Sequence, residues 1–126
     1  MKSVAYDPNI HLDMITLWHK QWEQPLDIIE SLPDSGLIIP DVCACFLYKT
    51  NSTMCMVENL ICNKDCDEKT RQTGLDIIFK DMFQLVKDSG FKKVISLVSN
   101  PNIIQRCLGL NYTISNSTYY VMIRSF

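Results

Sequence analysis

One carboxylate and one glycine-containing segment in this sequence have the residue types and spacing to do chemistry. Glu58 lies in "MCMVENLIC" (54–62), an otherwise mostly apolar run. A carboxylate in such surroundings is desolvated, so its pKa rises and it can take a proton from an amine, directly or through water. Alternation along the run puts Met54, Met56, Glu58 and Leu60 on one face, which makes Glu58 the candidate general base. A partly exposed glutamate paired with Lys49 or Arg124 is the simpler alternative. Further on, "DEKTRQTGLD" (67–76) carries Arg71-x-x-Gly74 where an irregular stretch becomes a helix. The first amides of a helix have no intrahelical partner, the dipole favours an anion there, and glycine permits close approach of a ligand. Asp76 works against such a site. A carboxylate close to a bound anion repels it by about 1 kcal/mol or more even with strong screening. Equally, Asp76 complements the dipole of an ordinary helix in its first turn.

The remaining cysteines and histidines offer less. Cysteines occur at positions 43, 45, 55, 62, 66 and 107, and the only two histidines, His11 and His19, lie near the N-terminus. Cys62-x-x-x-Cys66 lacks paired C-x-x-C spacing, so these residues read as reduced thiols and small buried hydrophobes, and no metal site is expected. The three Asn-x-Ser/Thr triplets, starting at Asn51, Asn111 and Asn116, carry no meaning without secretion.

Composition narrows the function classes. At 126 residues the chain is sized for a single domain, 1–126, with one modest core. It is 47% hydrophobic and 21% charged, as folded domains are, and its net charge of −2 gives no electrostatic case for nucleic acid or an anionic membrane. No apolar run reaches membrane-spanning length and the N-terminus lacks a signal-peptide core, so a cytoplasmic location is expected.

The elements that must position these residues follow from the periodicities. Ser3–Tyr6 reads as a short strand. Asp7-Pro8 opens a helix with Ile10, Met14, Leu17, Trp18 and Trp22 as its apolar stripe. Leu26–Ser31 reads as a short second helix. Leu37–Pro40 and Val42–Lys49 are strands joined in a hairpin at Pro40-Asp41, and Met54–Cys62 is a third strand. A helix from about Thr70 to Ser89 carries Leu75, Ile78, Phe79, Met82, Phe83 and Val86, with Gly90 at its C-cap. Lys93–Val98 is a strand, Asn100-Pro101 opens a short helix ending at Gly109, and Tyr112–Ser115 and Tyr119–Ile123 are final strands. The fold class is α/β (α+β): a mixed central sheet of six to seven strands with helices on both faces.

This order, with a strand leading through a loop into a helix at Arg71-x-x-Gly74, resembles the GNAT acetyltransferase superfamily. The segments "LPDSGLIIPDVCACFLYKT" (32–50) and "NPNIIQRCLGL" (100–110), with the aromatic first helix, are most similar to short GNAT-like proteins of bacteriophages. The resemblance implies an acetyl-CoA-dependent N-acetyltransferase. Strand 54–62 would part from strand 93–98 to admit the pantetheine arm, beside Leu60, Ile61 and Cys62. The pyrophosphate would rest on Arg71, Gln72, Thr73, Gly74 and Leu75, and Asn100, opening the last helix, would bond pantetheine. An N-cap role for Asn100 explains the same residue equally well. The region of His11, Trp18, His19 and Trp22 would border the acceptor, although Trp18 fits core packing.

Two positions depart from the superfamily pattern. Asp76 stands where the loop pattern has a small residue. Gln105 stands where many of these enzymes carry a tyrosine that protonates the departing CoA thiolate, which an amide cannot do. Tyr112, Cys107 or a water would have to substitute. The alternative is a catalytically degenerate GNAT-fold phage protein acting as a protein-binding module. Expected partners are an amine or protein substrate, or a host protein, with the chain a monomer or homodimer.

Overall fold

The computed structural model describes residues 1–115 and 117–126, so the Asn116 triplet starts outside the described residues. Two units, Met1–Ser96 and Leu97–Phe126, are taken in turn.

The first unit is a five-stranded sheet in the order β1 (Val4–Ala5), β2 (Gly36–Ile39), β3 (Cys43–Tyr48), β4 (Met54–Cys62) and β5 (Lys93–Ile95). All neighbouring pairs are antiparallel except β4–β5, which is parallel. The fold is thus α+β with a mixed sheet, and its described residues hold five strands where the sequence suggested six or seven. Alternation on β3 separates the two layers. Ala44, Phe46 and Tyr48 face α1 (Pro8–Gln21), forming a core with Tyr6, Ile15, Trp18, Ile38 and Ile61. Cys43 faces α2 (Glu68–Asp88), whose Gly74 packs on Val42 and Cys43. Both faces of β3 are buried, which is why its sequence is apolar at every position.

Local signals account for most boundaries. Asp7 caps α1 by accepting from the Asn9 amide at 2.9 Å, and Pro8 occupies the first helical position. At the β2–β3 hairpin the Val42 amide donates to the Ile39 carbonyl at 2.9 Å, with Pro40 and the left-handed Asp41 (φ 66°) between them. α2 ends in a Schellman arrangement: Gly90 (φ 85°) donates to the Lys87 carbonyl and Phe91 to that of Val86. Between α1 and β2, the expected short helix is a single 3-10 turn, Ile29–Ser31.

The buried face of α1 differs from the expected stripe. Ile10, Leu17 and Trp22 are exposed, and the helix buries His11, Ile15, Trp18 and His19. The histidines tolerate burial because each has a local backbone partner. His11 Nδ1 accepts from the Asp7 amide at 3.0 Å, and His19 Nδ1 lies 2.9 Å from the Ile15 carbonyl, to which it donates.

The second unit holds α3 (Pro101–Gly109), followed by a segment with no regular structure among its described residues. The strands expected at Tyr112–Ser115 and Tyr119–Ile123 are therefore absent as strands. Tyr119 through Ile123 are all exposed. Strand propensity alone does not make a strand without a paired neighbour and a covered face. Among the described residues, no helix is long and apolar enough to cross a membrane.

Candidate functional site

β4 carries the candidate base, and its geometry has two irregularities. The first is a bulge. Ala44 pairs with Ile61 and Phe46 with Glu58, so Cys45 alone stands opposite Asn59 and Leu60. Asn59 takes the left-handed conformation this requires (φ 57°), and asparagine tolerates it better than most residues. The extra residue reverses the alternation. Glu58 and Met56, paired with Phe46 and Tyr48, share the α1 face with Ile61, the partner of Ala44, and not with Leu60 as simple alternation had it.

The second irregularity is the edge facing β5. Pairing with β5 covers only Met54, Cys55 and Met56. The Ser96 hydroxyl then donates to the Val57 carbonyl at 2.7 Å, and beyond it β4 runs on to Cys62 with no strand on that side. β5 ends at Ile95, short of the Val98 that the sequence suggested, so the edge of β4 beyond Met56 is left uncovered by β5. Leu60, Ile61 and Cys62 lie on this uncovered stretch, and the Cys62 carbonyl accepts from the Trp22 indole at 2.7 Å.

At the bulge, three polar side chains meet on the α1 face. Asn59 Nδ2 donates to the Tyr48 hydroxyl, and the Glu58 carboxylate lies close enough to act on the same phenol. Burial pushes the Tyr48 pKa up, the negative charge of Glu58 pushes it further, and the Asn59 hydrogen bond pulls it back in part. Because Asn59 fills one lone pair of the phenol oxygen, the O–H proton is left to point elsewhere. Sequence reasoning passed over Tyr48 and Asn59. The signal available was the cross-strand position of Tyr48, which β4 reaches only once its register is known.

The start of α2 differs from the phosphate cradle that the sequence suggested. The helix begins at Glu68, capped by Asp67, whose carboxylate accepts from the Thr70 amide at 2.7 Å. That bond holds the Asp67 carboxyl below its ordinary range. The Arg71 amide donates to the Asp67 carbonyl at 3.1 Å, the first bond of the regular helical ladder. Arg71, Gln72, Thr73, Gly74 and Leu75 thus lie inside the helix, where backbone amides are committed to i−4 carbonyls. Only the first turn, from Asp67 to Thr70, has amides without an intrahelical acceptor, and Asp67 already supplies an anion to it.

Arg71 itself ties down the preceding loop. Its guanidinium donates to the Lys64 carbonyl at 3.2 Å and to that of Cys66. Gly74 is needed against the sheet: a Cβ there would lie 2.6 Å from Val42 Cγ1 and 3.3 Å from Cys43 Sγ. Asp76 is exposed on the helix surface.

The second unit contributes Asn100, which caps α3 by accepting from the Asn102 amide at 2.9 Å. Gln105 is exposed on that helix and Cys107 is buried, its thiol pushed up by burial, with Tyr112 donating its amide to the Cys107 carbonyl at 3.1 Å. All six cysteines are thiols, and among the described residues no group of three or more His, Cys, Asp or Glu side chains could hold a metal ion.

No protein-family model matches the sequence, and no curated protein matches it significantly. Solved structures do match. A provisionally assigned acetyltransferase from Agrobacterium tumefaciens strain C58 superposes with a TM-score of 0.72 over 98% of this chain and 100% of its own, at 8% identity. A GNAT-family acetyltransferase from Streptococcus pneumoniae TIGR4 gives 0.67 over 98% and 96%, at 11% identity. An aminoglycoside acetyltransferase from an uncultured soil metagenomic sample, crystallised with sisomicin, gives 0.65 over 99% and 96%, at 10% identity. At these identities the likeness is one of architecture: the chain has the fold of the GNAT acetyltransferases.

Proposed function

We propose that this protein is an N-acyltransferase that moves an acetyl group from acetyl-CoA to an amine, with Glu58 as general base. The observation that carries this reading is the edge of β4 beyond Met56, which β5 leaves uncovered, beside a half-buried carboxylate and phenol. The uncovered edge from Leu60 to Cys62 suits an extended, amide-bearing chain such as pantetheine, which can hydrogen-bond along it in the manner of an added strand. When bound, acetyl-CoA supplies the activated thioester. Glu58 then accepts the proton of the attacking amine and a water gives one to the departing thiolate, while Tyr48, held by Asn59 and kept protonated by its surroundings, orients the carboxylate or donates to a substrate oxygen. Arg71 to Leu75 do not offer the amide cradle expected of them, so an anionic tail would have to meet the first turn of α2, against Asp67.

Thermal unfolding with and without acetyl-CoA tests the reading. A ligand present at about 100 times its Kd adds about 2.7 kcal/mol of stability, so a clear rise in Tm is expected. No shift with either acetyl-CoA or CoA would overturn it, and a Glu58→Gln variant with full turnover would remove Glu58 as base.

The carboxylate of Asp67 at the α2 N-terminus favours a second reading, in which this is a GNAT-fold binding module without catalysis. The bacteriophage resemblance belongs with this reading, the partner then being a protein of the host. It expects wild-type Tm to be insensitive to CoA.

A further inference from the structure

We propose that Cys43 and Cys62 form a reversible disulfide when the protein meets a peroxide. The pairing register places them opposite one another on β3 and β4. The Asn63 amide donates to the Val42 carbonyl at 2.8 Å, so the hydrogen-bonded pair is Val42–Asn63 and the Cys43–Cys62 pair next to it is non-hydrogen-bonded. In that class the Cα atoms lie about 4.5 Å apart, within the range of roughly 4.4–6.8 Å that a disulfide spans. Both side chains share the α2 face, and the two thiols are hydrogen-bonded to each other.

Exposure divides the roles. Cys43 is fully buried beneath Gly74, whereas Cys62 is half-buried at the strand end and open to a small oxidant. Attack of the Cys62 thiolate on the peroxide gives a sulfenic acid and hydroxide, and the hydroxide takes up the proton that the Cys62 thiol gave up to form one water. The Cys43 sulfur then displaces hydroxide from it, forming the S–S bond and, with the Cys43 proton, a second water. Two thiols are oxidised by two electrons and one peroxide is reduced to two waters. A low-molecular-weight thiol reverses the step by exchange. The hydrogen bond to Cys62, followed by burial, holds the Cys43 thiol well above its ordinary range, which suits it to the resolving role and not to first attack.

The other thiols are less well placed. Cys45 stands opposite the bulge, with Asn59 and Leu60 across from it. Cys55 bonds the Lys93 carbonyl, and Cys66 donates to the Asp41 carbonyl at 2.9 Å. The bond would fasten β4 to β3 at the end where the loop to α2 begins.

Trypsin separates the pair from Cys66. Fragmentation of the cross-linked peptide by mass spectrometry separates Cys43 from Cys45 and Cys62 from Cys55, and a bond at Cys45 or Cys55 would overturn the proposal. Cleavage at lysines leaves Cys43 and Cys45 in fragment 21–49, Cys55 and Cys62 in 50–64, and Cys66 in 65–69. Reduced protein is treated with a few equivalents of hydrogen peroxide, blocked with N-ethylmaleimide and digested without reductant. The expected result is a 21–49/50–64 cross-link with a protein two hydrogens lighter, reversed by glutathione and formed at least tenfold more slowly in Cys62→Ser. Undiminished cross-linking in Cys62→Ser would overturn the proposal. So would a link to 65–69, or oxidation of Cys62 to sulfinic acid with no cross-link. Because Cys62 lies at the surface end of its strand, its serine variant is expected to fold, and circular dichroism of that variant checks this.

Discussion

Gly74 lies so close to Val42 that an added Cβ would stand 2.6 Å from Val42 Cγ1. The glycine that looked like a phosphate contact is a helix–sheet contact. Gly74→Ala is therefore expected to destabilise the protein, by about 1–3 kcal/mol as overpacking usually does, despite the better helix propensity of alanine. Val42→Ala in the same chain should recover part of the loss, and urea denaturation of both variants measures it. A bulky residue at position 74 would thus perturb the fold whether or not CoA binds.

Arg71 holds the loop before α2 through the Lys64 and Cys66 carbonyls. Arg71→Ala should cost about 1 kcal/mol, discounted for partial exposure. Arg71→Lys should recover little of it, because an ammonium cannot reproduce the forked donor geometry. Limited proteolysis should show faster cleavage within 63–67 in both variants.

Asp67 is the N-cap of α2, and its carboxyl titrates below its ordinary value near 3.8 because it accepts from Thr70. A depressed folded-state pKa means that the capping contribution is present above that ordinary value and is lost as pH falls through the lower folded one. Asp67→Ala should lower Tm by roughly 3–6 °C at neutral pH, and the difference from wild type should shrink below about pH 4.

The Tyr48 phenol is raised first by burial and then by Glu58. Removing the charge in Glu58→Gln should bring its titration part of the way down toward 10, leaving the shift due to burial. Folding stability that depends on the neutral phenol is present below pH 10 and is lost as pH rises through the higher folded value. Ultraviolet difference titration at high pH, with Tyr48→Phe as the reference, isolates this one tyrosine. Identical curves for wild type and Glu58→Gln would break the link between the two residues.

Much of the fold was legible because its signals are local. The bounds of β4 at Met54 and Cys62, the Asp7-Pro8 helix start and the asparagine that opens α3 all rest on residues within a few positions of each other. What escaped depended on partners distant in sequence. Starting α2 at about Thr70 left out its first two residues, although Asp67 and Thr70 form an N-cap pair. The face of α1 was misassigned because histidines with backbone partners can take core positions that Ile10 and Leu17 do not. The candidate site was half legible: Glu58 stands out as a charge in an apolar strand, but Tyr48 joins it only through the register of β3 on β4.

The bulge in that register is a matter of length. If β4 were one residue shorter, with either Asn59 or Leu60 deleted, Cys45 would face a single residue and the strand would alternate regularly from Met56 to Cys62. Ile61 would stay in the α1 core on the face of Glu58, and Cys62 would stay opposite Cys43. The carboxylate and the thiol pair lie on opposite sides of a single inserted residue. A one-codon deletion would thus leave both halves of the strand in register and remove only the bulge, with the bond from Asn59 to Tyr48 that the bulge makes.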